Sequence, residues 1–121
     1  MTKEVVDFQQ LQKEFMELTG QDPDPETYIK LIAEEFEEWD YENSLTDNEF
    51  RKYYGQEYNP EAELKELTDL LYVIFGYANS KGWDMAEAYK RVDSNNKGRC
   101  VQPDGSVQFR EDGKVMKNRD Y

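Results

Sequence analysis

Two groups of acidic residues have the spacing that a carboxylate metal site requires. Glu34, Glu35 and Glu38 belong to one predicted helix, and Glu66 and Asp69 belong to another. At about 100° per residue, the first three lie within roughly one quadrant of the helix surface, so their carboxylates can converge. Carboxylate oxygens are the ligands of hard cations such as Mg²⁺ and Mn²⁺. The spacing therefore favours a divalent-metal site.

Both acidic groups lie among apolar residues instead of on a purely polar face. Glu35 falls between Leu31 and Trp39 on the helical wheel, Glu66 is also flanked by apolar residues, and Glu37 points elsewhere. An ionised carboxylate buried without a partner is strongly destabilising, and these stripes contain few Lys or Arg and no His. A bound cation would compensate. The alternative is that the acids are solvated helix faces, as in many soluble proteins.

The composition excludes several other kinds of chemistry. The 121 residues include no histidine and one cysteine, so the chain can form no internal disulfide, zinc finger or histidine-dependent triad. The net charge of −12 disfavours duplex nucleic acid as a partner. No apolar run reaches the roughly 18 residues of a membrane span, and the N-terminus has no signal-peptide core. We therefore expect no membrane partner and a cytoplasmic location.

Helical periodicity predicts an all-α fold for the chain. Apolar residues at helical spacing indicate four helices, at about 5–19, 25–43, 60–81 and 85–97. Gly20 and the QDPDP segment end the first helix, and the polar segment 44–59 is interpreted as a connection in which 47–54 could form a short extra helix. The segment LLYVIFGYA in the third helix is apolar nearly all round, which indicates burial at a bundle centre or a subunit interface.

The C-terminal segment changes to an alternating pattern. Two turn signals, Asp104-Gly105 and Asp112-Gly113, predict a short β-hairpin or a pair of extended arms. We expect one domain over residues 1–121, with its helical part at about 5–97 and an extended tail at about 98–121.

The two acidic motifs, in this order, resemble the EExxE and ExxD motifs of the MazG-like nucleoside triphosphate pyrophosphohydrolases. This all-α family is related to phosphoribosyl-ATP pyrophosphohydrolase. The motifs read here Glu34-Glu35-Phe36-Glu37-Glu38 and Glu66-Leu67-Thr68-Asp69. The resemblance runs from about Tyr28 to the C-terminus, and the tail PDGSVQFREDGKVMK is similar to that of phage-type and bacterial members. One departure is Asn96-Lys97-Gly98-Arg99, where the family usually has Asn-Met-Ser-Lys, so the cation here is Arg.

The resemblance implies a four-helix bundle that assembles as a homodimer or homotetramer and hydrolyses nucleotides. The substrate would be a (deoxy)nucleoside triphosphate, and the products the monophosphate and pyrophosphate. Glu34 would orient or deprotonate the attacking water. The implied ligands of Mg²⁺, or of Mn²⁺, are Glu35, Glu38, Glu66 and Asp69. The implied phosphate-binding residues are Asn96 and Arg99. Lys97 could serve in place of Arg99, and Lys114 and Lys117 in the tail are weaker candidates.

Two other functions and one further site stay open at this point. An acidic, non-enzymatic protein that mimics the charge of DNA would bind a basic partner through exposed acids on one surface. A member of the family could instead act on a different phosphoanhydride. Aromatic residues can stack on a nucleobase or belong to the core. The candidates are Phe8, Phe15, Trp39, Tyr77 and Trp83.

Overall fold

The computed structural model describes residues 4–20 and 24–118. These contain five helices: α1 (Phe8–Thr19), α2 (Pro25–Ser44), α3 (Asn48–Tyr54), α4 (Pro60–Ser80) and α5 (Met85–Arg99). The all-α prediction is confirmed. The helix α1 begins at Phe8 instead of Val5, and α5 continues to Arg99, beyond the predicted start of the tail at 98. Residues 21–23, part of the predicted QDPDP connection, lie outside the described residues.

Side-chain caps determine where the helices begin. The first N–H groups of a helix have no partner within it, so a side-chain oxygen at the preceding residue stabilises the start. A cap of this kind precedes each of the five helices, at Asp7, Asp24, Asp47, Asn59 and Asp84. Proline follows the cap of both α2 and α4, where its fixed φ suits the first turn. These starts set the helical register of the acidic residues.

The segment interpreted as a connection contains the short extra helix that was considered at 47–54, and this helix is α3. Asp47 caps this helix, and Gly55 ends it with a left-handed φ of 64°. The rings of Phe50 and Tyr54 lie 5.7 and 5.5 Å from the ring of Tyr41 on α2. Edge-to-face aromatic contacts of this kind stabilise the pair beyond their buried area. The contact with α2 therefore explains why a short polar segment is helical.

The core of the helical part lies where α2 packs against α4 and α1 packs against α4. Met16, Tyr28 and Val73 form a buried cluster, one from each helix. Gly76 permits this close approach, because a Cβ at that position would lie 2.2 Å from Cε1 of Tyr28. The absence of a side chain at Gly76 thus lets the two acidic helices come together.

A buried amide network connects the same three helices. The Gln12 side chain is 1% exposed, and its Nε2 donates to the hydroxyl of Tyr28 at 3.1 Å. Asn79 Nδ2 donates to Gln12 Oε1 at 2.8 Å, and Gln9 Nε2 donates to Asn79 Oδ1 at 2.9 Å. Since buried amides are destabilising unless they are paired, this network favours one arrangement of α1 on α2 and α4.

The chain divides into two compact units, Met1–Trp83 and Asp84–Tyr121. The first contains α1 to α4, and the second contains α5 and the tail. The expectation of a single domain over 1–121 stays a prediction. Among the described residues, no helix is both long and apolar enough to cross a membrane.

The tail in the second unit is paired at isolated points. Antiparallel bridges join Val101 to Val107 and Phe109 to Val115, around the two predicted turns. Within residues 101–118 the pairing consists of single bridges, so the tail is a pair of extended arms with turns instead of a continuous sheet. Asn118 lies next to the end of α5, where its N–H donates a hydrogen bond to the carbonyl of Arg99.

Candidate metal centre

Three of the four predicted metal ligands come together on α2 and α4. One carboxylate oxygen from each of Glu35, Glu38 and Glu66 lies within 4.8 Å of the other two. Glu35 and Glu66 are half-buried, whereas Glu38 is exposed. Oxygen donors from two helices, grouped at this separation, are suited to a hard cation. We call these three residues the acidic trio.

Two oxygens of the acidic trio are buried and have no hydrogen-bond partner among the described residues. They are Oε2 of Glu35 and Oε2 of Glu66. Nearly all buried polar atoms in proteins accept or donate a hydrogen bond, and an ionised carboxylate oxygen without a partner is costly. A cation bound by the trio would give both atoms a partner. The two oxygens are therefore the strongest structural indication of a metal site.

A neighbouring acid shows how a half-buried carboxylate is stabilised without a cation. Glu63 accepts a hydrogen bond from Trp39 Nε1 at 3.0 Å and from the Tyr58 hydroxyl at 2.6 Å. The bond to Glu63 raises the pKa of Tyr58, because it favours the protonated phenol. Glu35 and Glu66 lack donors of this kind for their buried oxygens. The difference separates a structural carboxylate from candidate ligands on the same pair of helices.

The fourth predicted ligand, Asp69, pairs with a lysine. Lys65 Nζ lies 2.9 Å from Asp69 Oδ2 and 3.4 Å from Glu66 Oε1. Lys65 was not predicted as a partner of Asp69, although the i,i+4 spacing of the two residues was a usable signal. Its side chain is 69% exposed, so the pairing is weak and exchangeable. Asp69 is outside the acidic trio, and its role as a ligand stays a prediction.

Glu34, the predicted catalytic residue, lines an open groove beside the trio. The groove has a volume of about 370 Å³, and its other lining residues are Glu37, Glu38, Tyr41, Glu42 and Glu66. Glu37, which the helical wheel places outside the converging group, is exposed, is not part of the acidic trio and lines the groove. Tyr41 and Glu42 were missed. Extending the wheel two turns beyond Glu34 would have found them, since i+7 and i+8 return to the same face.

The electrostatics of the trio centre on Glu66. Burial raises the pKa of Glu66 above its ordinary value of 4.5, the adjacent Glu38 carboxyl raises it further, and Lys65 lowers it. Burial disfavours the charged form, and two nearby carboxyls favour a state in which they share a proton. A divalent cation at the trio would therefore compete with a proton for the Glu66 carboxylate.

The aromatic candidates for a base pocket have aromatic partners within the first unit. Phe8 stacks on Phe75, Phe15 contacts the edge of Tyr72, and Tyr77 contacts Trp83 at right angles. Trp39 contacts the ring of Phe36, and its Nε1 also donates a hydrogen bond to Glu63. These contacts are those of a packed helical unit.

The predicted phosphate-binding residues lie in the second unit. Asn96 Oδ1 accepts a hydrogen bond from Lys117 Nζ at 3.0 Å, and Lys97 Nζ lies 2.9 Å from Asp93 Oδ2. The bond to Asp93 raises the pKa of Lys97. Arg99 lines a pocket formed with the tail. Their binding of phosphate stays a prediction.

No model of a known protein family matches the chain, and no curated protein matches it.

Without metal, Glu66 should make the folded chain more stable as the pH falls. Its folded pKa is raised, so its contribution to stability is fully present below the unfolded value of 4.5 and is lost as the pH rises through the folded pKa. Urea unfolding in chelator, between about pH 4 and pH 7, measures this effect as the difference in unfolding free energy between the wild type and Glu66→Gln. As the pH falls, the unfolding free energy of the wild type should rise relative to that of Glu66→Gln. A difference that is constant, or that moves the other way, would contradict the assigned environment.

Proposed function

We propose that this chain is a metal-dependent hydrolase that converts nucleoside triphosphates to monophosphates and pyrophosphate. The observation that carries the proposal is the pair of buried, unpartnered oxygens of Glu35 and Glu66. Glu38 completes the trio around them. The resemblance of the two acidic motifs to those of the MazG-like pyrophosphohydrolases adds the reaction class, which the trio alone does not specify.

In this proposal the trio would hold Mg²⁺ or Mn²⁺, with Asp69 as a further ligand once Lys65 releases its carboxylate. The cation would offset the charge of the triphosphate and act as a Lewis acid. Glu34 lines the adjoining groove and accepts a proton of the attacking water. The oxygen of that water forms a bond to the α-phosphorus while the bond from this phosphorus to the oxygen bridging to the β-phosphate breaks, and pyrophosphate leaves with the electron pair.

Cationic side chains of the second unit are proposed to bind phosphate oxygens. Arg99 offers a planar fork that suits phosphate geometry. Lys97 would have to exchange its partner Asp93, which is exposed enough for such an exchange. The Asn96 amide can donate to an oxygen while its carbonyl accepts from Lys117.

The reaction is tested by incubating the chain with a panel of ribo- and deoxyribonucleoside triphosphates, in Mg²⁺, in Mn²⁺ and in chelator. The proposal predicts pyrophosphate and a monophosphate in equal amounts, only when a divalent metal is present. Inorganic phosphate as the product would indicate a different phosphoanhydride chemistry. No product with any substrate would contradict the proposal and favour the acidic interaction protein.

Glu35→Gln should abolish this turnover without harming the fold. Loss of a ligand oxygen should lower the rate at least about a hundred-fold, because the metal supplies several kcal/mol of transition-state stabilisation. In chelator the variant should be at least as stable as the wild type, since a buried charge is removed. Glu14→Gln, an exposed change on α1, is the matched control and should alter neither property. Strong destabilisation of the metal-free Glu35→Gln variant would show instead that Glu35 is a structural partner.

We also propose that the chain associates as a homodimer or homotetramer. Large apolar side chains on α1 and α4 are exposed, among them Phe8, Leu11, Leu18, Leu64 and Leu67. The buried hydrophobic residues of the described chain are only Met16, Tyr28, Leu45, Val73 and Ala78. A monomer rarely leaves an apolar surface of this extent in water, and a two-fold axis lets one such surface cover its own copy.

Sedimentation equilibrium should give a mass of two or four chains of 14.4 kDa. Leu64→Glu should shift the protein toward the monomer, because it places a charge in the apolar surface. Leu64 is 63% exposed in the single chain, so the substitution should not disturb the fold of that chain. Lys13→Glu introduces the same residue at an exposed polar position of α1 and should leave the mass unchanged. A monomeric wild type at all concentrations would contradict the association.

A further inference from the structure

The second unit contains a pocket of its own, formed by the end of α5 and the tail. Its volume is about 890 Å³. Three cationic residues line it, Arg99, Arg110 and Lys117, together with three apolar ones, Pro103, Val115 and Met116. All of these residues belong to the second unit, so the pocket is built without the acidic helices.

The pocket is a local exception in an acidic chain. The whole sequence has 15 Lys and Arg against 27 Asp and Glu, whereas residues 84–121 have eight against seven. None of the described residues that line the pocket is acidic. Cations gathered in a concave site without carboxylates attract anions, because the low-dielectric walls focus their field.

The charges in the pocket are available to a ligand. Lys117 Nζ donates to a neutral acceptor, Asn96 Oδ1, so its charge is not compensated by that contact. Arg110 Nη2 lies 2.9 Å from Asp112 Oδ2, and both side chains are about half exposed, so solvent screening makes this pair easy to exchange. An incoming anion would therefore displace only weak partners.

Backbone contacts hold the cations in place. The Arg110 N–H donates to the carbonyl of Lys114 at 2.7 Å, within the second turn of the tail. The Asn118 N–H donates to the carbonyl of Arg99, and its Nδ2 donates to the carbonyl of Val101 at 3.1 Å. Since the main chain is fixed on both sides of the pocket, less conformational entropy is lost when a ligand binds.

We propose that this pocket binds the phosphate group of a small organic phosphate monoester. Arginine forks match the oxygens of a phosphate, and Lys117 adds a point charge. The apolar side chains of Pro103, Val115 and Met116 provide a surface for the organic part of the ester. The binding requires neither a metal nor hydrolysis. It shares Arg99 with the function proposed above, but it is tested in chelator and without turnover, so the two can fail separately.

The test is a calorimetric titration of the full chain in chelator with adenosine 5′-monophosphate, inorganic phosphate and adenosine. The monophosphate should bind saturably and more weakly as salt is added, and adenosine should not bind. Inorganic phosphate should bind more weakly than the ester, since it lacks the apolar part. Equal binding of inorganic phosphate would support the anion site and overturn the assignment of an ester.

Arg110→Gln and Lys117→Gln should each weaken binding of the monophosphate about ten-fold, the effect of losing one charge-assisted hydrogen bond. Lys114→Gln is the matched control, because it removes the same charge from an exposed residue of the same turn that does not line the pocket. Circular dichroism verifies that each variant keeps the helix content of the wild type.

Besides equal binding of inorganic phosphate, three results would overturn the proposal: no saturable binding of either phosphate compound, an equal loss in the Lys114→Gln control, or binding that is lost in Glu35→Gln and kept in Arg110→Gln. The last result would indicate that the anion binds at the acidic trio instead of in the tail pocket. Because the titration contains chelator and measures no turnover, its failure leaves the outcome of the hydrolysis assay unaffected.

Discussion

The structure of the first unit depends on the packing of α2 against α4, which brings the carboxylates of the acidic trio close together. Where α2 and α4 pack, Glu35 and Glu66 each bury a carboxylate oxygen without a hydrogen-bond partner. The contact is maintained by apolar packing around Tyr28, which reaches α4 because Gly76 has no side chain. Apolar packing in the core therefore keeps the carboxylates of Glu35 and Glu66 close together. A counter-charge would stabilise such an arrangement at neutral pH, and a divalent cation would provide one without removing either carboxylate.

The acids around the trio have different roles because their surroundings differ. Glu63 is satisfied by an indole and a phenol, and Asp69 by an exposed lysine. Glu34 is exposed in the groove. The groove walls are almost entirely acidic, so under the proposed function a triphosphate would approach only together with its cations. The high negative charge of the chain is thus compatible with the proposed substrate.

Local spacing in the sequence was sufficient to predict the main helices and the shared face of Glu35 and Glu38, whereas their grouping with Glu66 on α4 was expected only from the resemblance to a known family. Caps such as Asp24 and Asn59, each followed by proline, mark helix starts, and the i,i+3 spacing of Glu35 and Glu38 places them on one face. Contacts distant in sequence could not be predicted. The helix α3 is stabilised by ring contacts with Tyr41. Gln12 can be buried because its Oε1 accepts a hydrogen bond from Asn79, 67 positions away. The tail pocket likewise depends on turns that bring Arg110 and Lys117 back to the end of α5.

The central claim is that the trio binds a divalent cation, and electron paramagnetic resonance of Mn²⁺ measures this directly. Titrating the full chain with Mn²⁺ should show saturable loss of the free-ion signal, with at least one ion per chain, and Mg²⁺ should compete for the site. Glu66→Gln should abolish the binding, whereas Glu14→Gln, an exposed change on α1, should leave it intact. A free-ion signal that stays proportional to added Mn²⁺, or binding that is the same in Glu66→Gln as in the wild type, would contradict the account.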